Sequence, residues 1–186
     1  MRILFIRHGK TAGNLEKRYI GRTDEPLCEA GIAELGAKTF PACDRVIASP
    51  MIRCIQSAQI VYPGQVPETN DGLRECGFGD FEGKNYTELN GNPAYQAWID
   101  SGGTIPFPNG EDTNAFKARC IAAFEQVVRA ASTDDTLAFV VHGGTIMSIL
   151  ERYAEPKGGY FDFQVRNAAG YETEWDGAAL RIIRMI

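Results

Sequence analysis

Two stretches of this chain are built alike: an unbroken apolar run, then, directly or after one arginine, a histidine and a glycine. The first reads Ile3-Leu4-Phe5-Ile6-Arg7-His8-Gly9 and the second Leu137-Ala138-Phe139-Val140-Val141-His142-Gly143-Gly144. A short continuous apolar run marks a strand buried on both faces, as occurs where helices cover the two sides of a parallel sheet. Arg45-Val46-Ile47-Ala48 reads the same way. His8 and His142 are the only histidines in the chain. Both stand just past a strand end, where open α/β sheets place their ligands.

Helical patterns follow these runs. Ser49-Pro50 offers an N-cap and a first-turn proline for a helix to about Tyr62. From Phe116, apolar residues recur at Cys120, Phe124, Val127, Val128 and Ala131, a helical stripe. Another helix after Gly144 buries Ile146, Ile149, Leu150 and Tyr153. This alternation predicts an α/β three-layer sandwich with a mostly parallel central sheet flanked by helices. Asp176-Gly177 separates two strand-like runs and predicts an antiparallel edge hairpin. The 186 residues suit one domain, 1–186. Within it, residues 76–112 are rich in Gly, Pro and Asn and read as a pocket-flanking insertion. A short helix there is expected to present Tyr95, Trp98 and Ile99.

The net charge of −5 argues against a nucleic-acid or anionic-membrane partner, so an anionic ligand needs a local positive cluster. Ile3–Ile6 is too short for a signal-peptide core, and no later stretch could span a bilayer. Five scattered cysteines with no Cys-x-x-Cys pair fit reduced thiols and a cytoplasmic location.

The local cluster is supplied by two arginines. Arg7 closes a buried strand, where a cation needs an anionic partner. Arg53 falls in the first turn of a helix, where the helix dipole disfavours a cation unless an anion sits there too. Two guanidinium groups can hold phosphate oxygens bidentately. Rival phosphate chemistries lack their signatures: no cysteine has an arginine six positions on, and there is no Asp-x-Asp pair or Gly-x4-Gly-Lys loop. Two histidines without a matching acidic cluster predict neither a catalytic metal nor a cofactor.

Arg7-His8-Gly9 with Thr11 and Asn14 resembles the first signature of the histidine phosphatase superfamily, the phosphoglycerate-mutase-like proteins. Ser49-Pro50-Met51-x-Arg53 resembles its second arginine motif, and Leu73-Arg74-Glu75 with Glu82-Gly83 its acid-bearing segment. Gly110-Glu111, Arg119, His142-Gly143-Gly144 and Asn167-Ala168 continue the series. The resemblance implies a metal-independent phosphatase acting on a small phosphorylated metabolite. His8 is then the nucleophile that becomes phosphohistidine. Arg7, Arg53, His142, Gly143 and Asn14 bind the phosphoryl group. Glu75 protonates the leaving group and then activates water, whereas Glu82 is expected to be structural.

Two positions depart from the pattern. Lys10 stands where Glu or Gln is common, and is expected to favour a second anionic group on the substrate. Cys28 replaces a capping Thr or Ser. The stretch from Tyr95 through Trp98 to Glu111 is similar to α-ribazole-phosphate phosphatases. The alternatives are a phosphomutase or a non-catalytic module that binds phosphorylated ligands. A mutase must shield its phosphohistidine from water. The insertion ends near 112 and the chain at Ile186 with no polar tail, so hydrolysis is expected to prevail.

Overall fold

The computed structural model describes residues 1–186. Seven strands form one sheet: Arg2–Arg7 (β1), Arg45–Ala48 (β2), Glu68–Thr69 (β3), Thr136–Val141 (β4), Ala154–Glu155 (β5), Gly170–Trp175 (β6) and Leu180–Met185 (β7). Their spatial order is β3-β2-β4-β1-β6-β7-β5.

The apolar runs behave as expected of doubly covered strands. Ile3, Leu4, Phe5 and Ile6 are all fully buried. Because strand side chains alternate between faces, Ile3 and Phe5 join one core while Leu4 and Ile6 join another. The larger core also takes Phe139, Val141 and Ile47. Thr113–Arg129 (α5) covers it with Phe116, Cys120 and Phe124, and Gly143–Tyr153 (α6) with Ile146, Ile149 and Leu150. The smaller core packs Val46, Ala48 and Val140 against Ala58, on the helix Ile52–Val61 (α3), and Tyr62 just beyond it. These are three layers.

The sheet is mixed where the sequence reading expects a mostly parallel one. β6 runs antiparallel to both its neighbours, β1 and β7. The cause is the predicted turn: Gly177 takes φ +104°, and Asp176 accepts from the amides of Ala178 and Ala179. A hairpin must reverse direction, and its first strand pairs inward with β1. The hairpin is also not the edge, because the two-residue β5 pairs parallel with β7 outside it.

Two helix starts carry further detail. α3 begins at Ile52, and Ser49 is not its cap. Asp24 instead reaches over from another segment and accepts the Ile52 amide at 2.7 Å. Pro93–Asp100 (α4) is the expected short helix of the 76–112 stretch, started by Asn92 and Pro93. It packs Tyr95 and Trp98 inward but leaves Ile99 exposed. No helix is long and apolar enough to cross a membrane.

Candidate active site

The topology makes the two histidines meet. β1 and β4 are parallel neighbours with Arg7 opposite Val141, so the next residue of each leaves the sheet at the same edge. The His8 and His142 rings stand 5.2 Å apart, edge to face. His8 Nδ1 lies 2.7 Å from the carbonyl oxygen of Gly9, which can only accept. The proton of the neutral ring therefore sits on Nδ1, and the Nε2 lone pair is free. Burial, then the positive charges of Arg53 and Arg7, hold the His8 pKa well below its ordinary value. His142 is lowered too, chiefly by burial. A buried neutral imidazole with one unengaged nitrogen is a ready nucleophile at pH 7.

Arg53 is fully buried at the start of α3. Its Nη1 and Nη2 donate to the carbonyls of Thr23 and Gly21 at 2.8 and 2.9 Å. Glu82 organises the same loop by accepting the amides of Gly21 and Thr23, the structural role expected of it. Arg7 donates from Nη1 to the carbonyl of Val165 at 2.8 Å. The Nε atoms of Arg7 and Arg53 are buried without any partner. Neither arginine forms a salt bridge, although an unpaired buried charge costs several kcal/mol, on the order of 3–5 when a partner is removed. Two such cations beside one neutral histidine are what a bound oxyanion would neutralise.

Glu75 closes the site from the other side. It is 8% exposed, and its Oε2 accepts the Gly144 amide at 3.1 Å, at the N-terminus of α6, where the helix dipole favours negative charge. Its Oε1 accepts the Cys76 amide at 2.9 Å. Glycine at 144 leaves the carboxylate its place, because a Cβ there would lie 2.3 Å from Glu75 Oε1 and push it aside.

Arg7, His8, Asn14, Glu75, Gly143 and Gly144 line one wall of a cavity of about 260 Å³. Its other wall is apolar, with Tyr19, Phe78, Trp98, Phe107, Tyr160 and Phe161. Tyr19, Phe78, Trp98 and Phe107 pack ring to ring, mostly edge to face, into a stiff chamber. Arg18 is the only other cation in the lining, and Glu16 and Glu88 already neutralise it.

Sequence reasoning named Arg7, His8, Asn14, Glu75 and Gly143, and all of them line the cavity. Arg53 and His142 stand behind His8, both fully buried. His142 Nε2 is 2.8 Å from Ser49 Oγ. Lys10 pairs its ammonium with Glu34 at 2.8 Å and is not among the cavity-lining residues. Gly31 approaches so closely that a Cβ would lie 2.2 Å from the Lys10 carbonyl, which fixes this segment against the helix Glu29–Gly36 (α2) that carries Glu34.

Several contributors escaped the sequence reading. Ser57 Oγ accepts the Gly9 amide and donates to the Arg53 carbonyl, joining the His8 segment to the start of α3. Asn167, present in the sequence reading only as a member of the motif series, donates to the His8 carbonyl and, at 3.1 Å, to Asn14 Oδ1 on the short helix Ala12–Leu15 (α1). Tyr160 and Phe161 enter from a short 3₁₀ turn; the aromatic run Tyr160-Phe161-Asp162-Phe163 was the available signal.

Fold and site together define a phosphoryl-transfer enzyme with a histidine nucleophile. Residues 3–186 match the histidine phosphatase superfamily (branch 1), and the chain belongs to that family. It is similar to the adenosylcobalamin/alpha-ribazole phosphatase of Salmonella typhimurium, with 32% identity over 82% of this chain and 79% of the relative. A broad-specificity phosphatase of Saccharomyces cerevisiae is 32% identical over 81% of this chain and 69% of the relative. The crystal structure of the alpha-ribazole phosphatase from Shigella flexneri superposes with a TM-score of 0.84 at 25% identity, covering 98% of this chain and 95% of that one. The chain is accordingly a phosphatase, a hydrolase acting through a phosphohistidine.

Proposed function

We propose that His8 carries the phosphoryl group, and that the substrate is the phosphate monoester of an uncharged, ring-bearing alcohol of the α-ribazole kind. In the first step His8 Nε2 forms a bond to phosphorus as the bond to the alcohol oxygen breaks. Glu75 gives that oxygen its proton, since an alkoxide is a poor leaving group. In the second step Glu75 takes a proton from water, whose oxygen attacks phosphorus and frees His8 and inorganic phosphate. Arg7, Arg53, His142, Asn14 and the Gly143 amide steady the phosphoryl oxygens, where charge builds.

One observation carries the substrate reading. The space beyond the catalytic wall is an aromatic chamber whose only other cation, Arg18, is already paired. Flat apolar groups gain about 25 cal/mol per Å² on entering such a chamber, whereas a second anionic group meets no free partner. Trp98 Nε1 and Thr113 Oγ1, both on cavity-lining residues, lack partners within the protein and suit a leaving group that carries hydrogen-bonding atoms. The segment 76–112 then acts as an insertion walling the pocket of one domain. Five unpaired thiols support a cytoplasmic setting.

The test is kcat/KM, with chelator present, for α-ribazole phosphate, a simple alkyl phosphate and 3-phosphoglycerate. The ring-bearing ester should lead by about tenfold or more, which is 1.4 kcal/mol of selective binding. A lead by 3-phosphoglycerate, or mutase turnover matching the best hydrolysis, overturns the proposal.

A further inference from the structure

The side chain that most shapes Glu75 is not in the cavity. Arg119 lies on α5, and nearly all its donors serve one neighbouring segment. Nη1 donates to the carbonyls of Gly72 and Arg74 at 3.0 and 2.7 Å, and Nη2 to the carbonyl of Glu75 itself at 3.0 Å. Nε and Nη2 also grip Glu111 through its two carboxylate oxygens at 2.6 and 2.8 Å. Glu111 in turn accepts the Gly77 amide at 3.2 Å, while its own amide donates to the Gly77 carbonyl at 2.8 Å. The ion pair thus holds the chain on both sides of Glu75, from residue 72 to residue 77.

We propose that Arg119, braced by Glu111, is a positioning residue that fixes the Glu75 carboxyl for proton transfer to the leaving group. This rests on the assignment of Glu75 as the acid. The geometry suits guanidinium alone. A planar fork can bind a carboxylate bidentately and still reach several carbonyls, whereas a lysine presents one point charge. Burial opposes charge on Glu111, but the hydrogen bonds from Arg119 outweigh it and hold that carboxyl below its ordinary range, so the brace stays charged. Arg119 has no part in the cavity wall and no hydrogen bond to His8 or Arg7; it lies over the Phe116 ring and its charge is the weakest of the influences that lower His142, so its main route to the chemistry is the acid segment. Proton transfer needs the donor within hydrogen-bond reach of the leaving oxygen, and general acids supply about 10²–10⁴-fold in rate. A loosened segment should forfeit part of that and nothing else.

The experiment compares Arg119→Lys, Arg119→Met and Glu111→Gln with the wild type and with Glu75→Gln. Each is assayed on p-nitrophenyl phosphate, whose leaving group needs little protonation, and on an alkyl phosphate that needs it. Vanadate inhibition reports the phosphoryl site, and thermal melts report folding. The Arg119 variants should lose about tenfold or more in kcat on the alkyl ester beyond any loss on the aryl ester, a fraction of the general-acid range. KM and vanadate inhibition should stay near wild type, and Glu111→Gln should show a weaker form of the same pattern. If Arg119→Met fails to fold, Arg119→Lys and Glu111→Gln carry the comparison. Equal losses on both esters, or weakened vanadate inhibition, overturn the proposal. Should Glu75→Gln itself show no dependence on leaving group, the acid assignment falls instead. A selective Glu75→Gln with unselective Arg119 variants removes the positioning role alone.

Discussion

Replacing Gly144 by alanine should separate catalysis from stability. A Cβ at this position would lie 2.3 Å from Glu75 Oε1 and 3.0 Å from Phe116 Cζ, where ordinary contact begins near 3.4 Å. The carboxylate oxygen must therefore retreat by about 1 Å, a displacement that can cost on the order of 10²-fold in rate. The Gly144 amide survives the substitution, but its bond to Oε2 at 3.1 Å has to stretch or bend as the carboxylate moves. Folding should barely notice. The atom that yields is the free end of a flexible side chain, and alanine gains up to about 1 kcal/mol over glycine within a helix. The smaller overlap with Phe116 offsets part of that gain. Urea or thermal unfolding should place the variant within about 1 kcal/mol of wild type, a shift of only a few degrees for a chain of this size. Steady-state assays on an alkyl phosphate should meanwhile show kcat reduced about 100-fold, with vanadate inhibition retained. Wild-type turnover in a folded Gly144→Ala protein would refute the idea that Glu75 must stay where the α6 amide holds it.

The buried histidines give a pH signature. Both folded pKa values lie well below the ordinary 6.5, so the unfolded chain binds protons that the native state refuses. Stability is then full above pH 6.5 and declines as the pH falls toward the folded values, by about 1.4 kcal/mol per pH unit for each histidine. The lowered Glu68, Glu88 and Glu111 act only below their ordinary 4.5, so urea titrations between the two limits isolate the histidines. His142→Asn should halve the slope there, and an unchanged slope would contradict the burial argument. Lys10→Gln should alter kcat/KM on doubly anionic and simple esters alike, because the ammonium is engaged by Glu34 and lies outside the cavity lining. Selective loss on the doubly anionic ester would restore Lys10 to the site.

The parts legible in the sequence were those with a local cause. Ile3–Ile6 and Leu137–Val141 announce doubly buried strands without help from elsewhere, and their shared exit places His8 beside His142. Gly177 after Asp176 announces a turn. Partner choice across the chain was not legible. Nothing near residue 170 states that β6 will pair with β1, and that pairing carries the antiparallel part of the sheet from the hairpin to its centre. Ser49 illustrates the same limit: it carries the local signature of an N-cap, yet the α3 amide is taken by Asp24 and the serine serves His142. Lys10 stands two residues beyond His8 in the chain, and only the fold shows that Glu34, 24 positions on, engages its ammonium. Arg119 was visible only as one member of a motif series. Its work depends on three carbonyls that the fold alone brings together.

The central claim is that phosphate resides covalently on His8 between the two chemical steps. Rapid quenching of the enzyme with a ³²P-labelled substrate should trap labelled protein. The label should be lost in acid, survive base, and map by mass spectrometry to the peptide containing Arg7-His8-Gly9. His8→Ala should trap none and turn over none. A label that survives acid, lies on another residue, or persists in His8→Ala would contradict the account.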